Sequence, residues 1–175
     1  MFNPIMMSGG GKPKLVLSST GGQGSGTSFT FTNQGLGRSQ TKRVIAVSVE
    51  GTANHRTVLS ISSATINGVS ATTAISAYQQ FIDSIQRGVI SAIIYAVVPT
   101  GISGDVVITF NAAMESASIQ VFSLYNLQSS TPYHTGSNVQ GNSGFSSIAL
   151  NIPPFGAAIG AWAGSDWNFS SGSVS

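Results

Sequence analysis

Apolar residues that alternate with polar ones recur along this chain of 175 residues, and that period of two constrains its fold more than any other feature. Successive side chains of a strand point to opposite faces, so alternation marks a half-buried strand; a helix needs apolar residues three and four apart. Residues 28–32 place Phe29 and Phe31 on one face, residues 105–110 do the same with Val106, Ile108 and Phe110, and residues 118–125 set Ile119, Val121 and Ser123 on one face against Gln120, Phe122 and Leu124 on the other. Residues 42–50 are rich in β-branched residues, as expected of a central strand, and residues 89–98 are a long apolar run that Pro99 stops. Further strands are expected over 14–18, 58–66, 69–75, 147–152 and 156–164, the last two bounded by Pro153-Pro154 and by Trp162, which reads as core.

The punctuation agrees. Asn67-Gly68 stands between two alternating runs, and Asn-Gly is a strong hairpin signal because both central residues of a type I′ turn need positive φ. Residues 21–26, Gly-Gly-Gln-Gly-Ser-Gly, read as a loop, and so does the polar stretch 128–144. Residues 78–88 alone carry some helical spacing, through Phe81, Ile82 and Ile85, and are either a short helix or an irregular connector. Nine or ten short strands with turns between them imply an all-β fold, an antiparallel β-sandwich of jelly-roll or Ig-like type. The sandwich is expected over residues 14–175, behind an N-terminal arm of residues 1–13. That arm carries an apolar tip (Met1, Phe2, Ile5, Met6 and Met7) followed by Ser-Gly-Gly-Gly. It is either a frayed terminus or an assembly anchor that packs into a neighbour.

Charge is scarce: Asp, Glu, Lys and Arg are 7% of the chain, against about 25% in an ordinary soluble protein. Seven basic residues against five acidic ones give +2, too few and too scattered to neutralise a run of phosphates, so nucleic acid is not an expected partner. Ser and Thr, about a quarter of the chain, and 21 Gly take the place of charges. Such a surface suits a repeated subunit, because charges are depleted from the cores of interfaces. No apolar run reaches the 18 residues of a membrane-spanning helix, and the first residues lack the basic start and long apolar core of a signal peptide.

Chemistry has little to work with. The absence of Cys removes disulfides, thiolate metal ligands and thiol nucleophiles together. The two His and five acidic residues form no metal-ligand spacing, no Gly-x-Ser-x-Gly elbow precedes a helix, and no phosphate loop is present. No enzyme activity, cofactor or metal is therefore expected. A binding role rests on the aromatic and amide side chains of the late loops: Tyr133, His134, Asn138 and Trp167 are candidates for glycan contact, since aromatic faces stack on sugars and loops on rigid sandwiches carry function. Trp167 packed against a subunit neighbour is the competing reading.

Three stretches carry a resemblance: Ser-Ser-Ala-Thr-Ile-Asn-Gly-Val-Ser-Ala-Thr at 62–72, Ile-Ile-Tyr-Ala-Val-Val-Pro-Thr-Gly-Ile-Ser-Gly-Asp-Val-Val-Ile-Thr-Phe at 93–110, and Ile-Gln-Val-Phe-Ser-Leu-Tyr-Asn-Leu, closing with Ser-Ser-Thr-Pro, at 119–132. Together they resemble a group of β-sandwich proteins encoded by tailed bacteriophages and prophages, over about residues 42–165. The resemblance implies a non-enzymatic virion structural protein, such as a capsid decoration protein, head fibre or tail fibre component. It also implies other virion proteins as partners, a homo-oligomer with a trimer favoured, and localisation in the virion. The alternative is a carbohydrate-binding module at a tail-fibre tip that reads a host-surface glycan.

Overall fold

The computed structural model describes residues 14–54, 57–80, 87–139, 148–152 and 157–163. Among them nine strands form: β1 (Lys14–Gln23), β2 (Gly26–Gly35), β3 (Val44–Ala53), β4 (Ile61–Ile66), β5 (Val69–Ser70), β6 (Thr72–Gln80), β7 (Gly88–Val97), β8 (Ser103–Met114) and β9 (Ser116–Tyr125). One five-stranded sheet has the order β1-β9-β3-β7-β6 and a four-stranded sheet the order β2-β8-β4-β5, with every pairing antiparallel.

The order has a simple logic. β1 pairs β9, β2 pairs β8, β3 pairs β7 and β4 pairs β5, so the pairs are nested one inside the next. One long antiparallel ribbon, rolled so that successive pairs alternate between two sheets, is a jelly roll. β6 is an added strand on the free side of β7. The expected all-β antiparallel sandwich is the fold, and of the two expected types the pairing is that of a jelly roll.

The core lies between the inner faces. Ile45, Val47 and Val49 of β3, Val121 and Ile119 of β9, and Ile94 of β7 meet Phe29 and Phe31 of β2 and Val106, Ile108 and Phe110 of β8, all buried. Phe29 and Phe110 cross edge to face with centroids 5.7 Å apart, an arrangement the ring quadrupoles favour. β3, predicted to be central, has a paired strand on each side.

Several boundaries differ from the expectation. The glycines of residues 21–26 are not all loop: Gly21 and Gly22 continue β1 against Ile119 and Ser118, and only Gly24 and Ser25 separate β1 from β2. A partner strand supplies the hydrogen bonds that low propensity withholds. The return strand after Asn67-Gly68 is two residues long; past Ala71 the chain leaves for the other sheet as β6. Tyr78 to Gln80 finish β6, and residues 81–86 of the ambiguous connector lie outside the described residues. No strand forms over 148–152 or 157–163. Among the described residues their alternation finds no neighbouring strand, and Ile148, Leu150, Ile152 and Trp162 are exposed rather than core. The arm, residues 1–13, lies outside the described residues.

Candidate functional site

The expected glycan loop is partly in view. Tyr133 is 71% exposed, and His134 and Asn138 are exposed on the same irregular stretch. His134 has a structural role. Its Nδ1 accepts the backbone N–H of Asn151 at 2.9 Å, tying this stretch to residues 148–152. Trp167 and the anchor residues Met1, Phe2, Ile5, Met6 and Met7 lie outside the described residues.

The acidic residues in view are dispersed among separate partners. Asp105 Oδ1 accepts the Asn33 N–H at 2.8 Å, Glu115 accepts from the Asn54 amide, and Glu50 accepts from the Ser118 hydroxyl at 3.4 Å. Among the described residues no three His, Cys, Asp or Glu side chains gather to hold a metal ion.

The outer face of the five-stranded sheet is divided in two. Strand register places side chains in rows across β1, β9, β3 and β7. The first rows are Leu15–Leu124–Val44–Val97 and Leu17–Phe122–Ala46–Tyr95. Leu127 and Ile159 pack on this apolar end, yet Leu15, Leu17 and Val97 stay 38%, 56% and 41% exposed. On β1, β9 and β3 the next rows turn polar, Thr20–Gln120–Ser48 and then Gly22–Ser118–Glu50, while β7 continues them with Ile93 and Ser91. A bulge between Leu17 and Ser19 sets this pattern, since one extra residue brings Thr20, not Ser19, into line with Leu17. Ser18, at the bulge, shares a hydrogen bond with Ser123 Oγ at 2.6 Å.

The polar rows form a groove of about 430 Å³, lined by Thr20, Gly21, Gly22, Ser48, Glu50, Ser118, Ile119 and Gln120. No Lys or Arg lines it. Partial burial pushes the Glu50 carboxyl above its ordinary value, and the Ser118 hydroxyl pulls it back only in part. Sequence alone does not reveal this site. Ser48, Glu50, Ser118 and Gln120 look like the plain polar side of alternating strands, and only strand order makes them neighbours.

A second feature is equally hidden in the sequence. Arg43 is wholly buried just before β3 and meets four backbone carbonyls: Nε donates to Val98 O at 2.7 Å, one terminal nitrogen to Leu36 O at 2.9 Å and Gly37 O at 3.0 Å, the other to Thr100 O at 2.8 Å. Ser123 Oγ also donates to Leu36 O, at 2.8 Å. The guanidinium thereby joins the turn after β2 to the turn after β7, a use of Arg that needs its planar, five-donor fork. Its setting is structural.

Comparison with protein-family models, with curated proteins and with solved structures finds no match.

Proposed function

We propose that this chain is a non-enzymatic virion structural subunit, of capsid-decoration or fibre type, that works by association with copies of itself and with other virion proteins. The observation that carries the reading is the apolar surface left uncovered: Leu15, Leu17 and Val97 at one end of the outer sheet face, with Ile148, Leu150, Ile152 and Trp162 on the C-terminal stretch. Large exposed apolar side chains on a chain with this little charge mark a surface that another molecule covers. The jelly roll is compatible with such a role, being an architecture of viral capsid domains, although lectins and enzymes share it and fold alone assigns no function. The resemblance of residues 42–165 to phage-encoded sandwiches supplies the virion context. In this reading the apolar tip, Met1 to Met7, attaches the subunit to the particle or to its neighbours.

The test is absolute mass by light scattering over a range of concentrations. A discrete oligomer, a trimer foremost, is expected. A monomer that persists at the highest concentration would overturn self-association.

A further inference from the structure

We infer that the polar groove on the outer face of the five-stranded sheet binds a neutral saccharide through Thr20, Ser48, Glu50, Ser118 and Gln120. Such a site is independent of assembly, which the mass measurement tests by itself.

Strand register builds a grid of side chains. Thr20 and Gln120 stand side by side over Ser48, which is 3% exposed and forms the floor, and Gly22, Ser118 and Glu50 form the row beyond. Neighbouring strands are about 4.8 Å apart and alternate residues about 6.8 Å apart along a strand, so the polar groups tile an area of the size of a sugar ring and its hydroxyls. The set mixes three hydroxyls, which donate and accept, with an amide that does both and a carboxylate that accepts. This is the inventory that vicinal hydroxyls need. These groups sit on paired strands, so little order is lost when a ligand binds.

Gly22 is an independent sign. A Cβ built there meets nothing within 4 Å, and its φ is not in the left-handed region. Neither packing nor backbone conformation calls for glycine at a strand position where it lowers stability. The missing side chain opens the end of the groove beside Ser118 and Glu50, where a ligand can approach the sheet backbone.

Other ligand classes fit poorly. A nucleic acid or acidic glycan would bring negative charge to Glu50 with no Lys or Arg in the lining to receive it. A lone carboxylate is too little for a divalent cation, which wants six or more oxygens. An apolar ligand would strand the polar lining.

The test uses the full chain on an array of neutral oligosaccharides built from hexoses and N-acetylhexosamines. The best binder is then titrated against isotope-labelled protein by NMR. Shifts in Thr20, Gly22, Ser48, Glu50, Ser118 and Gln120 are expected. Gly22→Thr should weaken binding tenfold or more without loss of thermal stability, because its Cβ enters open space in a strand. Glu50→Gln should also weaken binding tenfold or more. An array with no neutral glycan bound, shifts confined to Tyr133, His134 and Asn138, or full affinity in Gly22→Thr would each overturn the inference.

Discussion

The side chain of Asn67 occupies the space that a side chain at Gly104 would need. A Cβ at Gly104 would overlap the Asn67 amide and come within 2.9 Å of its Cβ, and a Cβ at Gly101 would meet the same amide at 3.1 Å. Asn67 holds φ 52° at the β4–β5 turn, Gly68 holds φ 77°, and the Asn67 N–H donates to Asp105 O at 2.7 Å. The hairpin tip and the turn before β8 are thus one interlocked unit. The Asn67-Gly68 turn and the Gly101 to Gly104 turn, separate in the chain, are spatial partners.

Gly104→Ala should therefore destabilise the fold by about 1–3 kcal/mol, the usual cost of forcing atoms into filled space. Asn67→Gly keeps the turn, which glycine tolerates, and vacates the space. The double variant should recover part of the loss, seen as a coupling energy in a urea-unfolding double-mutant cycle. Strict additivity would show that the two residues do not compete.

Arg43 makes a sharper prediction. Arg43→Met leaves Val98, Gly37 and Thr100 carbonyls without this donor inside the protein. A loss of about 3 kcal/mol or more is expected in urea unfolding. Arg43→Lys should recover little of it, since a compact ammonium cannot span four carbonyls arranged for a planar fork.

Glu50 sets a pH dependence. Its carboxyl is raised by burial, so the folded chain holds this proton more tightly than the unfolded chain does. The group's contribution to stability is therefore fully present below the unfolded value, near 4.5, and is lost as pH rises through the higher folded value. Glu50→Gln removes that loss. The variant should melt above the parent at pH 7, and the difference should shrink as pH falls through the raised folded value and vanish below about 4.5, measured by thermal melts across pH.

The assembly reading is tested by charge placed on the exposed apolar stretch. Leu150→Asp, at a side chain 38% exposed, should leave the melting temperature of the isolated chain within a few degrees. It should shift the light-scattering mass towards the monomer. Removal of residues 1–11 should likewise preserve the fold, read by circular dichroism, and abolish incorporation into particles. Normal incorporation of the shortened chain would remove the anchor role from Met1, Phe2, Ile5, Met6 and Met7.

The sandwich was legible because burial on one face leaves its period in the residues: Phe29 and Phe31, or Val106, Ile108 and Phe110, declare their face without any partner known. The Asn67-Gly68 turn was legible because its backbone demands those residue types. Alternation proved insufficient over Ile148, Leu150 and Ile152, because a strand also needs a neighbour for its hydrogen bonds. Gly21 and Gly22 erred in the opposite sense: poor strand formers were held in register by β9. The groove and the Arg43 clamp were hidden for one shared reason. Each is assembled from segments that only the long-range pairing brings together, and a serine or an arginine looks the same locally whether solvated or enclosed.

The nested strand pairs also impose an order in time. The β4–β5 turn closes over Asn67 and Gly68 alone, whereas β1 reaches β9 only when Lys14 finds Tyr125 across nearly the whole domain. Wide loops close slowly and at greater entropic cost, so the ribbon should zip from its inner hairpin outward, with β1 docking last. The last strand to dock is commonly the first to detach, and amide exchange should run fastest there. β1 also carries Leu15, Leu17 and Thr20, so the strand that completes the apolar end and the polar groove is the one most easily exchanged between folding chains.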